Sequence, residues 1–301
     1  MIGAAAAWYA LTGNSNPKSA DVRYNLPPEI KVINTTLPYE ERKIKVTETR
    51  TATDSYGNNF EKKTERIELE KIVKTSNIDF SSDFAIETDR YRIVKSSDWL
   101  PSRLVGHTLS IPGKIYFWDW NYGWGQDADR SKAALAMVEN DKNIKNLTFR
   151  LNHNEGFYDM YRMFADKKLA ERNNWFARVF IGVPDALFGE IWAEFSRGSY
   201  YNPMTQTVVC YSNIESVTAH ELGHHKDCQR FDRDWVYNLA RLLPPVMLYQ
   251  EWQASSNACD IMSKEDNWQW YRYLMPAFAT YCLATYSTMK KFFSEKEDES
   301  A

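Results

Sequence analysis

Hydrophobic and polar positions change rhythm several times along the chain, and each change marks a predicted element. From Arg42 to Phe80, Ile, Val and Thr alternate with charged residues, and Asp54-Ser55-Tyr56-Gly57-Asn58-Asn59 breaks the alternation with a strong turn signal. A period of two on both sides of a turn predicts a long two-stranded ribbon. A solvated linker is the alternative, because two strands alone are marginal in water. Ahead of the ribbon, residues 12–40 hold four prolines among Gly, Asn and Ser without a period, and read as an extended arm.

Between Trp99 and Gly125 an aromatic run of Tyr116, Phe117, Trp118, Trp120, Tyr122 and Trp124 marks the start of the main domain. Ser131–Asn140 predicts a short helix, Leu147–Asn152 alternates as a strand, and Phe157–Leu169 has apolar residues at helical spacing. Phe176–Ile181 reads as another strand. Glu190–Phe195 and Thr207–Tyr211 read as a hairpin around Gly198, Asn202 and Pro203. The pattern then turns helical, with Ser212 placed to cap a helix and Glu215 to reach back, the spacing of a capping box. Pro244-Pro245 opens a second helix running to about Met262. Leu274–Met289 is apolar but broken by Pro276 and by Thr and Tyr, which favours a core helix over a membrane span. The acidic, Lys-containing tail after Phe293 is expected to fray. These elements sum to an α+β chain. Residues 1–98 form an N-terminal arm and β-ribbon, and residues 99–301 form a domain with a small mixed β-sheet and a helical C-terminal half.

Composition narrows the function classes. Aromatic residues make up 15% of the chain, with 11 Trp and 18 Tyr, enough either for an aromatic-rich core or for a surface that meets sugar, lipid or a protein partner. A net charge of -3, with basic and acidic residues interleaved, supplies no field for nucleic acid, so no nucleic-acid partner is expected. Cys210, Cys228, Cys259 and Cys282 lack CxxC spacing, which excludes a zinc ribbon or thioredoxin-type motif and leaves both free thiols and disulfides open. Residues 1–11 are an apolar run without a basic start, roughly half as long as a bilayer span. As a trimmed signal or anchor, the run would place the chain outside the cytoplasm or at a membrane; as an apolar lead-in, it leaves the compartment unknown.

One stretch carries chemistry: His220-Glu221-Leu222-Gly223-His224. On a helix begun at Ser212 the two histidines lie one turn apart on one face, so their imidazoles can grip one ion. Glu221 beside them can act as general base on a water that the ion has activated. Gly223 leaves room for another backbone near the ligands, at about 1 kcal/mol in helix propensity. The neighbouring His225 points about 100° away from His224 and reads as a surface or packing residue.

A catalytic zinc takes three protein ligands, so a third is needed. The metzincin pattern is excluded, because Arg230 stands at its third-ligand position and Asp227 at its glycine. Asp227 lies almost one further turn from the metal and reads as a salt-bridge or outer residue. Nothing recommends His107 or His153. Glu251, on the second helix, is the predicted third ligand. Ala254 and Ala258 share its face at i+3 and i+7, a smooth stripe for close packing, and Ser255 at i+4 can accept the free ring N–H of a ligand histidine. Tyr271, Arg272 and Tyr273 follow this helix as candidate oxyanion donors.

His220-Glu221-Leu222-Gly223-His224 together with Glu251-Trp252-Gln253-Ala254-Ser255 resembles the gluzincin zinc metallopeptidases, nearest in pattern to the CAAX-protease and HtpX-like group. The resemblance covers about residues 145–275 and is specific at the two motifs. It implies a zincin-like fold with Zn2+ as cofactor, held by His220, His224 and Glu251, and Glu221 as the base. That group commonly has aspartate four residues after the ligand glutamate; Ser255 stands there, and a hydroxyl can still orient an imidazole. The group's multiple membrane spans have no counterpart in this sequence.

Two function classes follow. The first is zinc-dependent hydrolysis of a peptide or protein substrate, with an extended chain paired along the hairpin's edge strand. The alternative is a catalytically silent zincin-fold binding or assembly protein that meets a membrane surface or a protein partner through its aromatic clusters. An intact Glu221 favours hydrolysis, since a binding protein needs no base.

Overall fold

The computed structural model describes residues 39–53, 59–73, 78–96, 100–120, 125–262 and 268–299. The chain divides into two units, one of residues 32–79 and one whose described part starts at Phe80. The smaller unit is the expected ribbon: β1 (Tyr39–Thr53) pairs antiparallel with β2 (Asn59–Val73), with Tyr39 opposite Val73 and Thr53 opposite Asn59. The turn residues 54–58, the predicted arm, the apolar run at residues 1–11, and Tyr122 and Trp124 lie outside the described residues.

The larger unit opens with the antiparallel pair β3 (Phe84–Glu87) and β4 (Tyr91–Lys95), followed by α1 (Leu100–Leu109), α2 (Ile111–Phe117) and α3 (Ala128–Asn140). Next come β5 (Leu147–Leu151), α4 (Gly156–Ala165), α5 (Lys167–Arg172) and α6 (Val183–Ser196), then β6 (Tyr200–Asn202) and β7 (Thr207–Cys210). The C-terminal half is helical, with α7 (Glu215–Cys228), α8 (Asp234–Ala240), α9 (Pro244–Ile261) and α10 (Met275–Glu299). The result is α+β, with a small mixed sheet.

The sheet order is β3-β4-β5-β7-β6. The three inner strands run parallel, while β3 and β6 close the edges antiparallel. Every residue of β5 and β7 is buried, because helices cover both faces of the central strands. Arg150 on β5 is tolerated there by a two-point contact to Asp159 of α4, at 2.8 and 2.7 Å. The same pair fixes where α4 leaves the sheet.

Several expectations need correction. Strands β3 and β4, which lie ahead of residue 99, belong to the main sheet, and the described part of the larger unit starts at Phe80. Residues 190–195 are helical, part of α6, and the hairpin partner of β7 is Tyr200–Asn202 instead. Over six residues the pattern fits both periods. Pro184 at the helix start and the small buried face of Ala186, Gly189 and Ala193 decide for helix. Phe176–Ile181 is likewise helical, leading through the π-helical turn Arg178–Gly182 into α6. The capping box does not form: Ser212 Oγ accepts from the backbone N–H of Ile214 at 3.1 Å, and Glu215 pairs with Arg130 of α3. Helix α10 continues through Glu299, beyond the residue where fraying was expected. No described helix is long and apolar enough to cross a membrane. All four cysteines are free thiols.

Helices α7 and α9 form the tightest pairing that bears on the site. A Cβ at Gly223 would overlap the backbone carbonyl of Ala254, while Ala254 and Ala258 are fully buried along the contact. Asn257 Nδ2 donates to the Gly223 carbonyl at 3.0 Å, locking the register. Gly223→Ala is therefore expected to push the two helices apart and to lower unfolding stability by about 1–3 kcal/mol, the range for overpacking a core. Denaturant unfolding of the purified variant reads this directly. Unchanged stability would mean that the helices do not meet as described.

Candidate metal centre

The site begins with how β7 hands the chain to α7. Gln126 Nε2 donates to Cys210 Sγ at 3.1 Å and to Thr218 Oγ1 at 3.0 Å, tying the strand end to the first turn of the helix. From that anchor α7 runs through the core with most of its residues buried on all sides. Its two motif histidines end one turn apart, with ring centroids separated by 4.7 Å.

Close packing at Gly223 then brings Glu251 of α9 to the same point. Glu251 Oε2 lies 3.2 Å from His220 Nε2, and its Oε1 lies 3.4 Å from His224 Nε2. One ligand atom from each of His220, His224 and Glu251 falls within 4.8 Å of the others, a span that one ion can bridge. The outward ring nitrogens are held as well. Ser255 Oγ is 3.2 Å from His220 Nδ1, and Tyr237 Oη is 3.0 Å from His224 Nδ1. Each Nδ1–H can therefore donate to a hydroxyl while each Nε2 lone pair faces inward, the tautomer that metal ligation requires.

Electrostatics agree with the geometry. Burial pushes the His224 pKa down to about 4, against the attraction of Glu251, so the imidazole is neutral at neutral pH and its lone pair is available. Burial alone would raise Glu251, but His224, His220 and Arg241 outweigh it and hold this carboxyl well below its usual range. Two neutral imidazoles and one carboxylate form the donor set of a catalytic zinc site, so these residues fit the ion. Glu221 is 9% exposed and is not one of the three converging ligands. Burial, with Glu251 as a second cause, raises its pKa to about 7, while His220 and Arg241 pull the other way. A carboxylate in that range is suited to proton transfer near neutrality.

Two openings flank the cluster and share His220, Glu221, Glu251 and Tyr281. One, of roughly 300 Å³, is bordered by α6 and the edge strand β6; the other, of roughly 160 Å³, is lined by Val217, Leu274, Ala277 and Phe278. The cleft is thus open on both sides of the His220, His224 and Glu251 cluster.

The remaining predicted residues divide. Ser255 Oγ stands beside His220 Nδ1, as its spacing suggested. Asp227 pairs with Arg230 at 3.4 Å and is not among the converging ligands. His225 is a packing residue and not a surface one: it is fully buried, and its Nε2 donates to the Lys145 carbonyl at 2.9 Å. Of the proposed oxyanion donors, Tyr273 lines the smaller opening beside the cluster, while Tyr271 and Arg272 line neither opening. Tyr271 is 71% exposed, Arg272 stacks over the rings of Trp268 and Tyr273, and Tyr273 donates its hydroxyl proton to Asp119. Their π-helical turn, Trp270–Leu274, rotates them differently from a regular helix.

Sequence reasoning missed three residues at the site. Tyr237 orients His224, Arg241 forms an ion pair with Glu251, and Tyr281 of α10 faces both openings. Tyr281 keeps its proton, since burial first and the carboxylates of Glu251 and Glu221 next raise its pKa to about 12. Tyr237 and Arg241 are one turn apart, but nothing in the pattern of so short a helix connects them to the motif.

Ser255→Ala leaves the cluster in place but removes one hydroxyl partner of the ligand histidines. Metal affinity is expected to fall roughly 10- to 100-fold, the usual cost of losing a residue that orients a ligand. Competition against a chelator of known affinity measures the loss, and an unchanged affinity would remove Ser255 from the site. Comparison of the chain with models of known protein families, with curated proteins and with solved structures found no match in any of the three.

Proposed function

We propose that this chain is a zinc-dependent peptidase with a zincin-like fold. The observation that carries the reading is the convergence of His220 Nε2, His224 Nε2 and a Glu251 carboxylate oxygen beside a buried carboxylate, Glu221, in a cleft open on both sides. The short antiparallel edge strand β6 borders that cleft and would be the strand along which an extended substrate pairs.

A zinc ion held by the three ligands would polarise a peptide carbonyl and acidify a water molecule. The chain's own groups do the rest. Glu221 accepts the proton of the attacking water and passes it to the leaving amine. Tyr281, protonated at neutral pH and facing both openings, donates to the oxygen on which negative charge builds. Arg241 balances the charge of Glu251 and keeps that carboxylate ionised. Ser255 and Tyr237 fix the two imidazoles.

One feature favours the second reading, a binding or assembly protein without turnover. Helices α1 and α2 and the residues after them expose Leu104, Ile115, Tyr116, Trp118 and Trp120, a large apolar surface for one region. Digestion of a mixed peptide library by the zinc-loaded protein separates the two. New termini that appear only with zinc support the peptidase; full zinc loading with no cleavage of any peptide supports the binding protein.

A further inference from the structure

Several residues lining the larger opening are not used by the proposed chemistry. Asp185, in the first turn of α6, lines it together with Phe188, Gly189, Tyr200, Tyr201 and Pro203. Its Oδ2 accepts one hydrogen bond from Asn238 Nδ2 at 3.2 Å, and its Oδ1 has no hydrogen bond or ion pair among the described residues. Arg241 lines the same opening, but its guanidinium is bonded to Glu251. Asp185 is thus a partly buried carboxylate with no ion pair among the described residues. Burial raises its pKa to about 6, with Asn238 and Arg241 offsetting only part of the effect. Such a group gains from any ammonium or guanidinium delivered to it.

The walls select the form in which that cation arrives. Tyr200 borders the opening, and the hydroxyl end of its ring packs against Gly189, where a Cβ would collide with it. Phe188 and Pro203 continue the lining. An opening lined by Tyr200, Phe188 and Pro203 together with the Asp185 carboxylate suits a long methylene stem with a charged tip. The opposite opening is mainly apolar away from the cluster, where Val217, Leu274, Ala277 and Phe278 line it.

We propose that Asp185 is the charged anchor of a specificity subsite that takes a Lys or Arg side chain of the substrate next to the scissile bond, with an apolar residue seated in the opposite opening. This rests on the peptidase reading for the scissile bond, but the subsite is tested by binding alone. The probes are acetylated, amidated pentapeptides with Lys beside Leu in both orders, the same peptides with norleucine for Lys, and an unblocked norleucine peptide. Binding is measured by calorimetry on the zinc-loaded Glu221→Gln chain, so that no peptide is consumed. One Lys peptide is expected to bind about 10- to 100-fold tighter than its norleucine counterpart, the range for one charge-assisted contact. Asp185→Asn in the same chain is expected to abolish the ratio, and Asp185→Glu to restore part of it. Equal binding of Lys and norleucine peptides, no binding of either, or a ratio that survives Asp185→Asn would overturn the proposal. So would tight binding of the unblocked norleucine peptide alone, which would put an α-amine there. A Lys preference without cleavage by the unmutated chain leaves the subsite standing and removes the peptidase; cleavage without the preference does the reverse.

Discussion

His224→Ala is expected to leave the purified chain without stoichiometric zinc. His224 is 2% exposed, so the cavity left by the imidazole lies where no surface side chain can swing in as a substitute ligand. Glu251 would then be left facing Arg241 and one imidazole, a set too small for a catalytic site. The loss of affinity should exceed the roughly 10- to 100-fold expected for Ser255→Ala, because a direct ligand is removed and not its support. Glu251→Gln is expected to behave in the same way, since the amide is neutral and a weaker donor. Asp227→Asn is the control: its partner is Arg230, and zinc should stay. Elemental analysis of the three variants decides the ligand set, and zinc lost from Asp227→Asn but kept in Glu251→Gln would make the assignment of Glu251 wrong.

Glu221→Gln is expected to separate chemistry from metal binding. The amide keeps the length and shape of the side chain but cannot accept a proton, and Glu221 is not one of the three converging ligands. Zinc content should match the unmutated chain, and substrate affinity should persist. Turnover should fall about 100- to 10,000-fold, the range for loss of a general base. Zinc lost along with activity would instead make Glu221 a structural residue.

How much of this was legible in the sequence depends on how local each signal is. His220, Glu221 and His224 were readable because their spacing is set within one turn of one helix. Glu251 and Ser255 were readable because the small residues Gly223, Ala254 and Ala258 already mark where two helices meet, and the structure places backbone against backbone there. The ribbon was readable for the same kind of reason, a period of two on both sides of a turn. Glu190–Phe195 was misread because six residues satisfy a strand and a helix alike, and the deciding residues, Pro184 and Ala186, lie outside that window. Tyr237, Arg241 and Tyr281 were not readable at all. Their roles arise from how α8 and α10 pack around the cluster, a tertiary fact with no periodic trace. Within the 271–273 segment only Tyr273 lines an opening at the cluster, and the sequence could not single it out, since a π-helical turn changes which side chain faces inward.

The most direct test of the zinc-peptidase assignment is a zinc titration with turnover as the readout. The protein is stripped by a chelator, dialysed, and titrated with zinc while cleavage of one library-selected peptide is followed. The site described here predicts no activity in the stripped protein, a linear rise with added zinc, and a plateau at about one ion per chain, as three protein ligands at a single centre require. Cleavage that persists in the metal-free protein, or stoichiometric zinc binding that never yields cleavage of any peptide, would contradict it.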